Sequence, residues 1–189
     1  MRAGLATGLM LLTACSQQSL DTVKTEPAGA EPVAVLPSAA PKTLPVVAEG
    51  VLADQIIVDK SDRLLMLIDN GREIARYTDI RFGNVPMGHK QFEGDERTPE
   101  GSYIIDARNP QSSYTLSLRV SYPNARDRAF AAARNRSPGG DIFIHGQPTG
   151  YTGPAIAHDW TDGCIAVSNA EIRQIWALVP DGTVITIRQ

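Results

Sequence analysis

Cysteine, aromatic residues and net charge are all scarce in this sequence. Only 2 of its 189 residues are cysteines, so it can form at most one intramolecular disulfide bond. Aromatic residues make up 6%, which suits a β-rich or mixed domain with an aliphatic core. The formal net charge of −3 argues against nucleic-acid binding, so we expect no nucleic-acid partner. The length suits one globular domain with additional segments rather than two large domains.

The first 15 residues have the pattern of a segment that directs export. Arg2 supplies a short positive region, and residues 3–12 are apolar but too short to span a bilayer. Leu12-Thr13-Ala14-Cys15 then resembles a bacterial lipobox, in which the cysteine is diacylated. An ordinary cleaved signal peptide with an incidental Cys15 is the alternative. We expect an exported protein that is lipid-anchored at Cys15 to a membrane facing the cell wall. Ser16 after that cysteine favours the periplasmic side of the outer membrane.

Residues 16–49 are predicted to form a disordered linker before a folded domain over residues 50–189. The segment has no helical or strand periodicity, and proline, which fixes φ and removes a backbone donor, recurs in it. Fully extended, it would reach roughly 100 Å. Its prolines are Pro27, Pro32, Pro37, Pro41 and Pro45.

The pattern of residues 50–189 predicts a mainly β domain, a sandwich or barrel, with one or two short helices. Asn70-Gly71 is a strong hairpin signal. The predicted strands are Ile56–Val58, Leu64–Ile68, Ile74–Tyr77, Ser102–Asp106, Tyr114–Ser121, Asp141–His145 and Thr183–Arg188. Ser168 and Glu171 form a capping box before one helix, which Pro180 ends. A second helix is predicted from about Ala125 to Arg134, with Asn124 as a possible N-cap.

Cys164 is the candidate nucleophile. If Cys15 is lipidated, Cys164 has no disulfide partner, and a lone thiol in an exported protein is either buried and inert or reactive. A thiol needs a neighbouring base or cation to ionise near neutral pH, and a catalytic one should react with alkylating reagents well below pH 8. His145, at the end of a predicted strand, is the best candidate base. His158 and His89 are its rivals.

A metal site is the weaker alternative. His145, His158, Asp159 and Asp162 could be read as ligands, but their spacing matches no familiar motif such as H-E-x-x-H. We therefore expect no metal site.

Two separated motifs resemble the L,D-transpeptidase catalytic domain family, also called YkuD-like. Ile144-His145-Gly146 is similar to its His-Gly at a strand end, and Thr161-Asp162-Gly163-Cys164 to its Ser/Thr-His-Gly-Cys. Thr98-Pro99-Glu100-Gly101 is similar to its Thr-Pro-x-Gly segment. The resemblance covers about residues 54–189 and implies an L,D-transpeptidase-like β-sandwich or barrel.

The resemblance also implies roles for these residues. Cys164 would be the nucleophile and His145 its base, oriented by the Gly146 carbonyl. The Gly163 and Cys164 amides would face the oxyanion, and Thr161 and Asp162 would complete the motif. The substrate would be a peptidoglycan stem peptide, cleaved after its third residue and passed as a thioester to an amine, without a cofactor.

Two positions depart from the family pattern and keep alternatives open. Asp162 stands where most members have His, and Ala166 stands where many have Arg or Asn. The thioester could therefore go to an amine or to water, the second being an amidase or carboxypeptidase reaction that releases wall-linked protein or trims stem peptides. The alternative outside the enzymes is a non-catalytic wall-binding lipoprotein in which Cys164 has a structural role.

Other residues are weaker candidates for binding substrate. Tyr151 and Trp160 lie between the two motifs and could line a lid, although core packing is an alternative for Trp160. His158 is a further candidate. Arginines could hold stem-peptide carboxylates, or could be a solvated helix face; they are Arg119, Arg126, Arg128, Arg134 and Arg136.

Overall fold

The computed structural model describes residues 42–189 of the chain. The predicted lipobox at Cys15 and most of the predicted linker lie outside these residues. The described elements are, in order, β1 Gln55–Asp59, β2 Leu64–Asp69, β3 Arg72–Thr78, β4 Gly101–Asn109, β5 Ser117–Val120, α1 Ala125–Ala132, β6 Phe143–His145, β7 Ile165–Ala166, α2 Asn169–Leu178 and β8 Val184–Arg188.

The strands form one curled sheet in the order β3-β2-β1-β8-β4-β5-β6-β7. β1 pairs with β8, and β6 with β7, in parallel; the other neighbours are antiparallel. The long strand β4 connects the two halves of the sheet, because Gly101–Ile104 pair with β8 and Ile105–Asn109 pair with β5. Its register with β5 shifts between Ile105 and Ala107, and such a shift bends a strand. The mainly β class predicted from the sequence is confirmed.

The β2–β3 hairpin shows how the sequence specifies its turns. Asn70 and Gly71 both have positive φ, at 50° and 75°, as the central residues of a type I′ turn require. The predicted hairpin is confirmed.

The core lies on one face of the sheet, under α2. Alternate residues of β1 and β2, namely Ile56, Val58, Leu65 and Leu67, are fully buried there with Ile172 and Ile175 of α2. This is the period-two pattern of a strand buried on one side. Leu64, Met66 and Ile68 form a smaller cluster on the opposite face of β2.

Both predicted helices are present, and each begins with a capping box. The Ser168 hydroxyl accepts the Glu171 N–H at 3.2 Å, and the Glu171 carboxylate accepts the Ser168 N–H at 2.8 Å. Asn124 and Asp127 form the same pair at the start of α1. No helix within residues 42–189 is long and apolar enough to cross a membrane.

Two predicted strands are shorter than expected. β5 begins at Ser117 rather than Tyr114, because Thr115 has φ 68°, which breaks the extended chain. β6 begins at Phe143 rather than Asp141, whose φ is 55°. The two-residue strand β7 was not predicted. Within the predicted linker, Leu44 and Val47 pack against the core.

Candidate active site

The sheet brings Cys164 and His145 to one cavity. β6 ends at His145, and β7 begins one residue after Cys164. The two strands pair in parallel, with Ile144 opposite Ile165 and His145 opposite Ala166, so Cys164 lies two positions before the residue opposite His145. Because side chains alternate between the two faces of a strand, this spacing lets both side chains line one cavity. The cavity is about 280 Å³ and is lined by Tyr114, Gly140, Asp141, Ile142, His145, Trp160, Thr161, Asp162 and Cys164.

The imidazole of His145 is buried and held by its own neighbour. Its Nδ1 lies 2.7 Å from the Gly146 carbonyl oxygen, which can only accept a hydrogen bond. Nδ1 therefore carries the proton, and Nε2 of the neutral ring is left as an acceptor. Burial lowers the pKa of His145, with the Gly146 carbonyl acting in the opposite direction. The ring is thus an unprotonated base at neutral pH.

The thiol of Cys164 is also neutral in the free protein. Desolvation raises its pKa to about 11; the Phe143 N–H opposes this, and the Asp162 and Asp141 carboxylates add to it. The Sγ donates a hydrogen bond to the Asp141 carbonyl at 3.4 Å. The expected reaction with alkylating reagents well below pH 8 is therefore not supported. Ionisation of the thiol requires proton transfer to a base at the moment of attack.

The loop before Cys164 is shaped by Thr161 and Gly163. The Thr161 hydroxyl donates to the Cys164 carbonyl at 2.8 Å and accepts the Gly163 N–H at 3.2 Å. Gly163 has φ +126°, and a Cβ there would lie 2.5 Å from the Arg97 carbonyl oxygen, so only glycine fits. The Gly163 amide, expected to face the oxyanion, is directed to Thr161 in this conformation.

Two aromatic rings enclose His145. The Tyr114 ring centroid lies 4.5 Å from that of His145, and the Trp160 ring meets His145 edge-on at 5.5 Å. Trp160 therefore both lines the cavity and packs against the base. Sequence reasoning missed Tyr114, which it placed in a strand, because no local pattern connects it with a histidine 31 residues further along the chain.

The start of α2 fixes the position of Gly146. Asn169 Oδ1 accepts hydrogen bonds from the Gln147 N–H at 2.9 Å and the Thr115 hydroxyl at 2.8 Å. A Cβ on Gly146 would lie 2.6 Å from this oxygen and 2.9 Å from Ile172 Cγ2. Gly146 is therefore required by close packing, and Asn169 indirectly holds the carbonyl that orients His145. Sequence reasoning missed Asn169, which it treated only as part of a helix cap.

Several predicted binding residues are not brought to the cavity. His158 is exposed, and Tyr151 is 39% exposed outside the lining set. Arg119 forms a two-point ion pair with Asp106 at 2.8 and 3.1 Å.

Two residues considered as an alternative base or metal ligand have structural partners instead. His89 Nδ1 accepts the Glu100 N–H at 2.9 Å, and Asp159 forms a two-point ion pair with Arg63. Within residues 42–189 no group of three or more His, Cys, Asp or Glu side chains could hold a metal ion.

The two departures from the family pattern lie in different surroundings. Asp162 is exposed and lines the cavity beside Cys164. Ala166 is 1% exposed, and its backbone exchanges hydrogen bonds with Arg81 at 2.8 and 2.9 Å. Only Asp162 can therefore act directly on a bound substrate.

Solved structures share this fold. The helical cell shape determining protein Pgp2 from Campylobacter jejuni superposes with a TM-score of 0.58 at 26% identity, covering 71% of this chain and 47% of that one. Bd1075 from Bdellovibrio bacteriovorus gives 0.51 at 26% identity, covering 72% and 48%.

Sequence comparison points to the same family. The Escherichia coli (strain K12) protein YafK is 30% identical over 95 residues, covering 49% of this chain and 32% of YafK. The chain thus spans half or less of the length of these relatives. The family model YkuD, the L,D-transpeptidase catalytic domain, matches residues 53–187. The chain therefore belongs to the YkuD family of L,D-transpeptidase catalytic domains.

Proposed function

We propose that this protein is a peptidoglycan-modifying cysteine enzyme that forms a thioester between Cys164 and a stem peptide and transfers the acyl group to an amine. The observation that carries the proposal is the shared cavity. His145 ends β6, Cys164 directly precedes the paired strand β7, and Nε2 of His145 is left as an acceptor. Family membership and the likeness to Pgp2, a protein that determines cell shape by its name, support a wall substrate.

Acylation needs one proton to move twice. As Sγ of Cys164 attacks the substrate carbonyl carbon, its proton passes to Nε2 of His145, and the carbonyl becomes an oxyanion near the Cys164 amide. The C–N bond then breaks, and the imidazolium gives its proton to the leaving amine. Gly146 stabilises the imidazolium through the hydrogen bond to Nδ1. Two neutral partners at rest suit this sequence, because no charge is buried before substrate arrives.

Deacylation repeats these steps, with the acceptor attacking the thioester. An amine attacks the thioester carbon, His145 takes a proton from it, and the C–S bond breaks, so that the thiolate regains that proton. Water in place of the amine gives hydrolysis. Asp162 favours a cationic group in the cavity, because its exposed carboxylate lies on the lining. The amine must lose its extra proton before it attacks, so Asp162 supports binding of an amine acceptor, and product analysis decides between transfer and hydrolysis.

The test is product analysis with a purified disaccharide-tetrapeptide, with and without an added acceptor amine. We expect loss of the fourth residue and a tripeptide linked to the acceptor, separated and identified by mass spectrometry. Free tripeptide in the presence of acceptor would establish the hydrolase alternative. No product with the parent protein, or equal product with Cys164→Ala, would reject both.

We further propose that the protein is exported and lipid-anchored at Cys15 to the periplasmic side of the outer membrane. The sequence of residues 1–16 supports this. Labelling of the protein with a radioactive fatty acid in cells, absent in Cys15→Ser, is the expected result. Equal labelling of the variant would contradict the anchor.

A further inference from the structure

Positive charge is concentrated on one short segment of this acidic protein. Four exposed arginines lie between residues 124 and 137, with Asp127 as the one acidic residue among them. The segment therefore carries +3, which leaves −6 on the rest of a chain whose total is −3. We name these residues the arginine patch: Arg126, Arg128, Arg134 and Arg136.

The arginine patch has no carboxylate partner among residues 42–189, whereas three other exposed arginines of the same domain do. Arg76, Arg119 and Arg188 each form an ion pair. Asp127 does not neutralise the patch, because it is 6% exposed and accepts hydrogen bonds from the Tyr103 hydroxyl and the Asn124 N–H. Like charges on one short segment repel one another, and a bound anion relieves this repulsion.

Two arginines of the patch are held in place by aromatic rings. The guanidinium of Arg134 lies 3.6 Å from the Phe130 ring centroid, and that of Arg136 lies 3.8 Å from the Phe92 centroid. The two rings are 5.9 Å apart. Stacking of this kind orders a guanidinium while its N–H edge can still donate to a carboxylate. Arg134 and Arg136 are therefore positioned before any ligand binds.

The segment that carries the patch leads along the chain to Gly140 and Asp141, which line the candidate active site. Glu93 donates its N–H to the Ser137 carbonyl at 2.9 Å, which joins the segment to the loop carrying Phe92. Five residues after Arg136 the chain reaches Asp141, whose carbonyl accepts the hydrogen bond of Cys164 Sγ. Five residues of extended chain reach at most about 18 Å, so one polymer can contact both the cavity and the patch.

We propose that the arginine patch binds the stem-peptide carboxylates of peptidoglycan, as a surface separate from the acylation cavity. This rests on the proposed function, which makes the substrate a polymer with carboxylates at regular intervals. Charge complementarity selects the ligand. A single exposed ion pair is weak, whereas several on one polymer act together. The patch would hold the enzyme on the wall between turnovers.

The test is co-sedimentation of the full chain with purified sacculi, all in a Cys164→Ala background so that no thioester contributes. Arg134→Gln with Arg136→Gln should weaken binding about tenfold, and this difference should shrink in high salt. The matched control is Arg72→Gln with Arg173→Gln, which removes the same charge from exposed residues on β3 and α2 and should bind like the parent. Sacculi whose carboxylates have been amidated should bind the parent as weakly as the patch variant.

The following results would contradict binding of peptidoglycan by the arginine patch. Parent-like binding by the patch variant, or an equal loss in the control, overturns the inference. Binding to phosphatidylglycerol vesicles is measured in parallel. If the patch variant loses binding to these vesicles but not to sacculi, the ligand is a lipid surface and the inference is overturned. Arg126→Gln with Arg128→Gln is a second variant should the first unfold. Carbapenem acylation of the unsubstituted protein is measured separately: its absence contradicts the proposed function, whereas patch-dependent binding supports the surface by itself.

Discussion

The two ends of the sheet are built differently. Strands β1, β2, β3 and β8 have five to seven residues each and follow the alternation of buried and exposed side chains or a continuous apolar run. At the other end, β6 has three residues and β7 has two. The first end contributes eight buried residues to the main core and the second contributes two. The second end carries His145 at the end of β6, and its strand β7 begins one residue after Cys164.

The difference teaches where order at the site comes from. Two- and three-residue strands contribute few ladder hydrogen bonds, so the site depends on side chains that bind backbone groups. Asn169 holds the Gln147 N–H, and Thr161 holds the loop at Cys164. Substitutions at the two ends should therefore have separable effects: loss of folding stability at the first, loss of chemistry at the second.

The largest effect is expected at the reacting pair. Cys164→Ala should abolish product formation, and His145→Gln should lower kcat/KM about 10²- to 10⁴-fold, because a general base contributes that much. His158→Gln, an exposed histidine outside the cavity, is the matched control and should change the rate less than about twofold. Steady-state kinetics on the disaccharide-tetrapeptide provide the measurement. A larger loss of kcat/KM in His158→Gln than in His145→Gln would show that His145 is not the base.

The next effect is on stability, at the other end of the sheet. Leu65→Ala removes a fully buried side chain from the core, so the free energy of unfolding should fall by about 2–5 kcal/mol. The rate per folded molecule should stay the same, because Leu65 lies in β2, away from the cavity lining. Urea unfolding and kinetics on the same sample check both. A lower rate in the fully folded variant would contradict the claim that this end of the sheet affects stability but not chemistry.

Gly146→Ala should affect both properties. The new methyl group would overlap Asn169 Oδ1 and Ile172 Cγ2, which costs about 1–3 kcal/mol of stability. The displaced carbonyl would release His145, and a misplacement of this size can cost about 10²-fold in rate. Gly140→Ala is the stability control, because its Cβ would meet no atom within 4 Å. Equal thermal stability of the two variants would show that the packing under Gly146 is not tight.

The smallest effect is expected at Asp162. Its carboxylate raises the pKa of the Cys164 thiol, so Asp162→Asn should lower that pKa and increase the thiolate fraction at pH 8. Alkylation by iodoacetamide at pH 8 should rise about two- to threefold, which is the size of an exposed charge effect. Asp181→Asn, an exposed acid after α2, is the control. A slower reaction in Asp162→Asn would mean that this carboxylate acts as a base toward the thiol.

The sequence predicted the fold where structure is local. The turn at Asn70-Gly71 and both helices depend on neighbouring residues, so their patterns are visible in the sequence. Short β7 escaped prediction because two residues have no periodicity. Tyr114 and Asn169 escaped because their importance comes from contacts with residues 31 and 22 positions away.

Chemistry was predictable only in part. The spacing of the two motifs placed Cys164 and His145 together in one cavity. Burial of the thiol, which raises its pKa to about 11, depends on the three-dimensional surroundings and could not be read from the motif. Nor could the pairing of Arg119 with Asp106, which engages the guanidinium of a residue outside the cavity lining.

Trapping of the acyl-enzyme tests the central claim most directly. The full chain is incubated with a carbapenem at neutral pH, and its intact mass is measured. One covalent adduct that maps to Cys164, is absent in Cys164→Ala and forms more slowly in His145→Gln is the expected result. No adduct with the parent protein, or an adduct of equal yield in Cys164→Ala, would contradict a nucleophilic Cys164 activated by His145.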